Sequence, residues 1–274
     1  MCRFLAYRGE PILLERLVTA PCHSLIHQSR HASEGKAELN GDGFGLGWYG
    51  EREEPGLFRD VRPAWSDENL GSICALVRSG LFFAHVRAAT GTPTGRVNCH
   101  PFAHGRFLFM HNGQVGGWDR VRRRVEALIP DELYPARAGS TDSEALFLAA
   151  LACGLDRDPV GAVLATLGRV RAAMTDAGVD APLRFTAALT DGRGLWAFRW
   201  ACDGRPPSLY WQEDARGVTL VSEPIDGQRA GWREVPRGAA LVALPGEPVR
   251  IREMRPAGTV IHALAPKRRA GAPG

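Results

Sequence analysis

Lysine is almost missing from this 274-residue chain: Lys36 and Lys267 are the only two among 34 basic residues, and the rest are arginine. The formal net charge is only +4, and 32 glycines and 19 prolines accompany the arginines. That balance reads as genomic base bias and a solvated charged face, not as a nucleic-acid surface. The two basic clusters, Arg122 to Arg124 and the tail "PKRRAGAPG", lack the interleaved aromatics of a single-strand binder.

Long apolar runs are also absent. The longest, "ALFLAALACGL" at 145–155, is too short to span a bilayer. No secretory apolar region opens the chain, because Arg3, Arg8, Glu10, Glu15 and Arg16 interrupt it. Six cysteines occur without a CxxC pair or any repeated metal-ligand spacing, and read as mostly buried thiols of a reducing compartment. HExxH, a GK[ST] phosphate loop and repeats of solenoid or propeller period are missing too. The expectation is a cytoplasmic protein without metal, cofactor, nucleic-acid or membrane partner.

What is present is a strand-rich pattern. "LFFAHVRAA" (81–89) and "RFLFMHNGQV" (106–115) are apolar, aromatic runs of strand length. "RFTAALT" and "LWAFRW" form a hairpin turning near Asp191 and Gly192. Further strands follow in "SLYWQE", "VTLVSEP", "AALVALP" and "VRIREM". Three helices stand among them. "WDRVRRRVEALI" sets Trp118, Val121, Val125 and Leu128 on one stripe. Asp158 and Pro159 cap and open a second helix. Thr141 and Glu144 match a capping box before the apolar run at 145–155, whose composition fits a helix covered on most sides. Strands with interspersed helices and no regular alternation read as layered α+β.

"NGDGFGLGW" (40–48) fails the dinucleotide glycine spacing; it is either a turn entering a strand or a backbone that passes close to something else. His85, His100, His104 and His111 crowd one region. His85 and His111 sit in apolar strand runs, where a hydrogen-bonded core histidine is the expected role. Cys2 directly follows the initiator. Removal of Met1 would put an α-amine, a base that titrates near pH 8, on the residue that carries the thiol. Such a nucleophile needs three supports. Asn112 and Gly113 can donate to an oxyanion, or form a hairpin turn. Arg87, late in a strand, can clamp a carboxylate, or pair with a structural acid. Asp142 in a first helical turn can accept from an ammonium, or simply suit the helix dipole.

"MCRFLAY", "NGDGFGLGW", "AHVRAATGTP", "NCHPF", "FMHNGQV" and "GSTDSE" together resemble the class II glutamine amidotransferases, which are N-terminal-nucleophile hydrolases. "HSLIHQS", "VSEP" and the Trp before "VP" look closest to the branch with the glutathione-degradation amidotransferase-like subunit and the ergothioneine-pathway γ-glutamyl amidohydrolase. The resemblance implies a four-layer αββα sandwich of two antiparallel sheets, as one domain over 2–265 with a disordered tail at 266–274. It implies Cys2 as nucleophile with its own amine as base, and Asn112 and Gly113 as the oxyanion hole. Arg87 is the implied α-carboxylate binder and Asp142 the α-ammonium acceptor. Thr90 and His100 line the pocket. One departure stands out: Gly91 occupies a position where many synthase-linked members carry His, which loosens glutamine itself as substrate.

The expected activity is hydrolysis of a γ-glutamyl amide, in glutamine or a conjugate, through a γ-glutamyl thioester on Cys2. The alternatives are a glutaminase subunit delivering ammonia to a separate synthetase partner, and a catalytically silent binding subunit. The amine side of the substrate stays open, with its pocket expected in loops such as 51–70 and 92–100. A homo-oligomer is left open as well.

Overall fold

A computed structural model describes residues 2–34, 39–89, 91 and 93–256. The expected tail, and Thr90 among the site residues, lie outside the described residues.

The chain alternates strand-rich and helical stretches. β1 (Arg3–Leu13) leads into α1 (Glu15–Val18), α2 (Leu25–Arg30), β2 (Phe44–Trp48) and β3 (Gly56–Asp60). Then come α3 (Glu68–Leu76), β4 (Arg78–Val86), β5 (Phe102–His104) and β6 (Phe107–Val115). Helices α4 (Trp118–Glu126), α5 (Asp142–Ala152) and α6 (Pro159–Asp176) follow in one block. The chain returns to strands with β7 (Leu183–Thr190), β8 (Leu195–Ala201), β9 (Tyr210–Asp214), β10 (Gly217–Val221), β11 (Arg233–Glu234), β12 (Ala239–Ala243) and β13 (Arg250–Glu253).

Two antiparallel sheets result. One has seven strands in the order β11-β9-β10-β1-β4-β2-β3, the other six in the order β13-β12-β8-β7-β6-β5. Period-two alternation sorts their side chains. Phe4, Ala6 and Phe83 from the first sheet meet Leu108, Met110 and Ala197 from the second in a core between the sheets. Leu5, Tyr7 and Phe82 face the opposite way and pack with Val18, Leu25 and Leu70 of the first helix layer. Phe109, Phe185 and Phe198 pack outward against Val121, Phe147 and Leu167 of the second. This is the expected αββα layering.

The local signals act as read. Asp158 Oδ1 accepts the Gly161 N–H at 3.0 Å at the start of α6. Asp191 Oδ1 accepts from Arg193 and Gly194 in the β7–β8 turn, at 3.0 and 2.9 Å. α5 is buried without a break from Ser143 to Ala150. Its capping box is only half formed. Thr141 Oγ1 accepts the Glu144 N–H at 3.2 Å, but the Glu144 carboxylate turns to Arg137 and to the N–H groups of Ala138 and Gly139. The six cysteines are all unpaired, yet only Cys74 and Cys99 are buried, which corrects the expectation of mostly buried thiols. Among the described residues, no helix is long and apolar enough to cross a membrane.

Candidate active site

Cys2 immediately precedes β1, whose Arg3 pairs with Val86 at the end of β4. The chain beyond β4 therefore runs past the thiol. Cys2 Sγ receives the Ala88 N–H at 3.5 Å and lies 3.6 Å from the Ala88 carbonyl oxygen. Burial pushes the thiol pKa up, against the opposing pull of the Ala88 N–H and of the Arg87 and Arg3 charges. A thiol held protonated needs a base before it can attack.

Arg87 is buried, at 3% exposure. Its guanidinium donates to the carbonyls of Asp42 and Pro93 at 3.3 and 3.4 Å. Its backbone N–H donates to Gly43 O at 2.8 Å, and its carbonyl accepts the Asp42 N–H at 3.0 Å. The Asp42 side chain then accepts the Ala89 N–H at 2.7 Å. The "NGDG" stretch is thus a brace around Arg87, and both readings of the glycine run hold. Gly43 turns at φ +111° before β2. Gly45 and Gly47 then leave the strand bare, so a Cβ at Gly45 would strike the His100 carbonyl, and one at Gly47 would come within 2.9 Å of Pro101 and Leu108.

Asn112 and Gly113 lie within β6, paired with Thr186 and Phe185 of β7. They form no hairpin turn, and the strand continues to Val115. A Cβ on Gly113 would overlap the Arg184 carbonyl and the His111 ring, so only glycine fits there. Asn112 is 1% exposed, and its Nδ2 makes no hydrogen bond. Leaving a buried donor unmatched costs about 1–3 kcal/mol. Asp142 opens α5 beside the end of the same strand, where it accepts the Val115 N–H at 2.7 Å and the Ser143 N–H at 2.8 Å.

The histidines divide. His111 is the satisfied core residue expected, with Nδ1 2.8 Å from Ser143 Oγ and Nε2 3.2 Å from Arg184 O. His85 is not: it stacks on His100 with ring centroids 4.2 Å apart, and neither ring makes a well-formed hydrogen bond among the described residues. Burial lowers the His85 pKa to about 3 and that of His100 well below 6.5, so both rings are neutral. Among the described residues, no group of three or more His, Cys, Asp or Glu side chains is arranged to hold a metal.

Strand alternation turns the two halves of the candidate site toward one interior, where β1 and β4 approach β6. Stepping outward from Phe4, Phe83 and Met110, all in the core between the sheets, puts Cys2, Arg87 and Asn112 on the same inner faces.

Three elements escaped the sequence reading. β1 (RFLAYRGEPIL) mixes charged and apolar residues and carries no plain strand signal. Asp42 gave no signal apart from the glycines around it. Arg3 and Glu223 form a buried ion pair at 3.1 Å, and Arg3 also donates to the Cys2 carbonyl at 2.9 Å. Glu223 was visible only as part of "VSEP".

The class II glutamine amidotransferase profile matches residues 1–204, and the chain belongs to that family. It is 32% identical to a probable glutamine amidotransferase of Saccharomyces cerevisiae, over 88% of this chain and 81% of that protein. It is likewise 32% identical to the gamma-glutamyl-hercynylcysteine sulfoxide hydrolase of Mycolicibacterium smegmatis, over 86% of this chain and 92% of that one. A glutamine aminotransferase class-II domain protein from Silicibacter pomeroyi superposes with a TM-score of 0.74 at 38% identity, covering 93% of this chain and all of the other. The fold is that of the N-terminal-nucleophile hydrolases in this family, and the protein is an enzyme of amidohydrolase type.

Proposed function

We propose that this enzyme hydrolyses the γ-amide bond of a γ-glutamyl compound, with Cys2 as nucleophile once Met1 has been removed. The α-amine of Cys2 takes the thiol proton, and the sulfur attacks the γ-carbonyl. A C–S bond forms, and the carbonyl electron pair moves onto oxygen. Asn112 Nδ2 and the Gly113 N–H receive that oxyanion. As it collapses, the C–N bond breaks and the ammonium of Cys2 returns its proton to the leaving nitrogen. Water, deprotonated by the same amine, then cleaves the γ-glutamyl thioester to glutamate and free thiol. Arg87 holds the substrate α-carboxylate as a fixed planar donor, and Asp142 accepts from the α-ammonium. The family resemblance assigns His100 and Thr90 to the pocket wall as well. The substrate is a small γ-glutamyl molecule, as the name of the mycobacterial relative indicates for that protein.

The observation that carries this reading is the buried, unmatched Asn112 amide beside a glycine that tolerates no side chain. A donor left without a partner in the resting fold is one available to a charge that exists only during reaction. Cys2→Ala, with wild-type melting behaviour, is expected to release no glutamate from glutamine or γ-glutamyl amides. Full activity in that variant would refute the mechanism.

A further inference from the structure

Arg3 opens β1 and is fully buried, and its partner Glu223 stands 220 residues further on at 3% exposure. The β1–β10 pairing sets the two side by side. It continues beyond Leu5 and Val221 through the Ser222 N–H to Phe4 O and the Phe4 N–H to Ser222 Oγ, at 3.0 and 3.1 Å. Taking two charges out of water is costly, and an apolar pair of similar volume is often as stable or more so. Stability alone therefore does not account for this pair.

The Glu223 carboxylate has other partners. It accepts from His23 Nε2 at 2.5 Å, from the Ser33 N–H at 3.0 Å and from the Glu34 N–H at 3.0 Å. Burial works to raise its pKa, but His23, these N–H groups and Arg3 outweigh it and leave the pKa below the ordinary carboxylate value. The carboxylate is thus a fixed anion, and Arg3 is held against it through Nε at 3.1 Å. Arg3 Nη1 is then placed to donate to the Cys2 carbonyl at 2.9 Å. The β1–β4 register starts at Arg3, so this contact reaches the residue just outside the ladder. Cys2 is held at a second point, where its thiol receives the Ala88 N–H at 3.5 Å. A tetrahedral Cα with its carbonyl fixed on one side and its thiol on another has the direction of its amine set.

We propose that Arg3, anchored by Glu223, is a positioning residue for the nucleophile: by fixing the Cys2 carbonyl it aims the α-amine at the thiol of the same residue. Arg3 acts through the Cys2 main chain and not on the substrate. This rests on the hydrolytic reading above.

The test is Arg3→Met, which keeps a long unbranched side chain and leaves Glu223 its contacts with His23, Ser33 and Glu34. Each protein is assayed with Met1 removed, as verified by intact mass. With glutamine as substrate, kcat is expected to fall about 10²-fold, the effect of misplacing a reacting group by about an ångström, while KM stays unchanged. Arg3→Lys, whose ammonium has three donors for the same two acceptors, should restore part of kcat. Three results overturn the positioning role while the hydrolase stands: wild-type kcat in folded Arg3→Met, a KM that rises as far as kcat falls, or a lysine variant no faster than the methionine one. Should Arg3→Met melt below the assay temperature, Arg3→Lys decides. A lowered kcat at constant KM then supports the role, and wild-type kcat overturns it. No glutamate from the wild-type protein on glutamine or γ-glutamyl amides, with a free Cys2 amine proved, overturns the hydrolase and the positioning role together.

Discussion

The Asp142 carboxylate accepts the Val115 N–H at 2.7 Å, so the acid at the start of α5 is tied to the strand that holds Asn112 and Gly113. The proposed ammonium acceptor and the proposed oxyanion donors are therefore joined through one strand.

Asp142→Asn keeps an oxygen for Val115 but loses the charge. KM for glutamine is expected to rise at least about tenfold, the weight of one charged hydrogen bond. With glutaramate, which lacks the α-ammonium, variant and wild type should behave alike. Steady-state kinetics on the two compounds checks this, and an equal loss on both would remove Asp142 from ammonium binding.

Asn112→Leu replaces an unmatched buried donor by an apolar side chain of similar size. The proposed oxyanion role requires kcat to fall by about 10²–10³-fold. The fold gives up a desolvation cost, so the melting temperature should hold or rise. Calorimetry beside initial rates separates the two effects. Lost stability with kept activity would mean that the amide serves packing.

The stacked His85–His100 pair makes stability depend on pH. Both folded-state pKa values lie below the ordinary 6.5, so both rings stay neutral in the fold and gain protons once it opens. Their contribution is complete above about pH 6.5 and is lost as pH falls, at roughly 1.4 kcal/mol per unit for each histidine. Urea unfolding between about pH 7 and about pH 5 should show that slope, and His85→Phe should lessen it. An unchanged slope in the variant would place the dependence elsewhere.

Much of the architecture was legible because its signals are local. Alternation in "RFLFMHNGQV", Asp158 with Pro159 and the Asp191 turn each act over a few residues. The αββα arrangement came from the family resemblance, since local signals gave only layered α+β. The candidate site was legible only as a set of residue types: Cys2, Arg87, Asn112, Gly113 and Asp142 each have a plain structural alternative. What stayed hidden depends on contacts across the chain. The Asp42 brace spans 45 residues to Arg87, and Glu223 reaches Arg3 across 220. Neither Asp nor Glu announces such a partner by spacing. The missing partners of His85 were likewise invisible, since an apolar strand context favours a satisfied ring.

Gly45 and Gly47 set a dimension. Where β2 meets the chain at His100, only hydrogens stand between the Gly45 backbone and the His100 carbonyl, and Gly47 leaves room for the Pro101 ring and the Leu108 side chain. The gap at that corner has the thickness of a peptide, which no choice of rotamer can widen or narrow. A side chain at position 45 would have to push the His100 carbonyl away, so the spacing between β2 and the turn at His100 and Pro101 is fixed by the backbone alone.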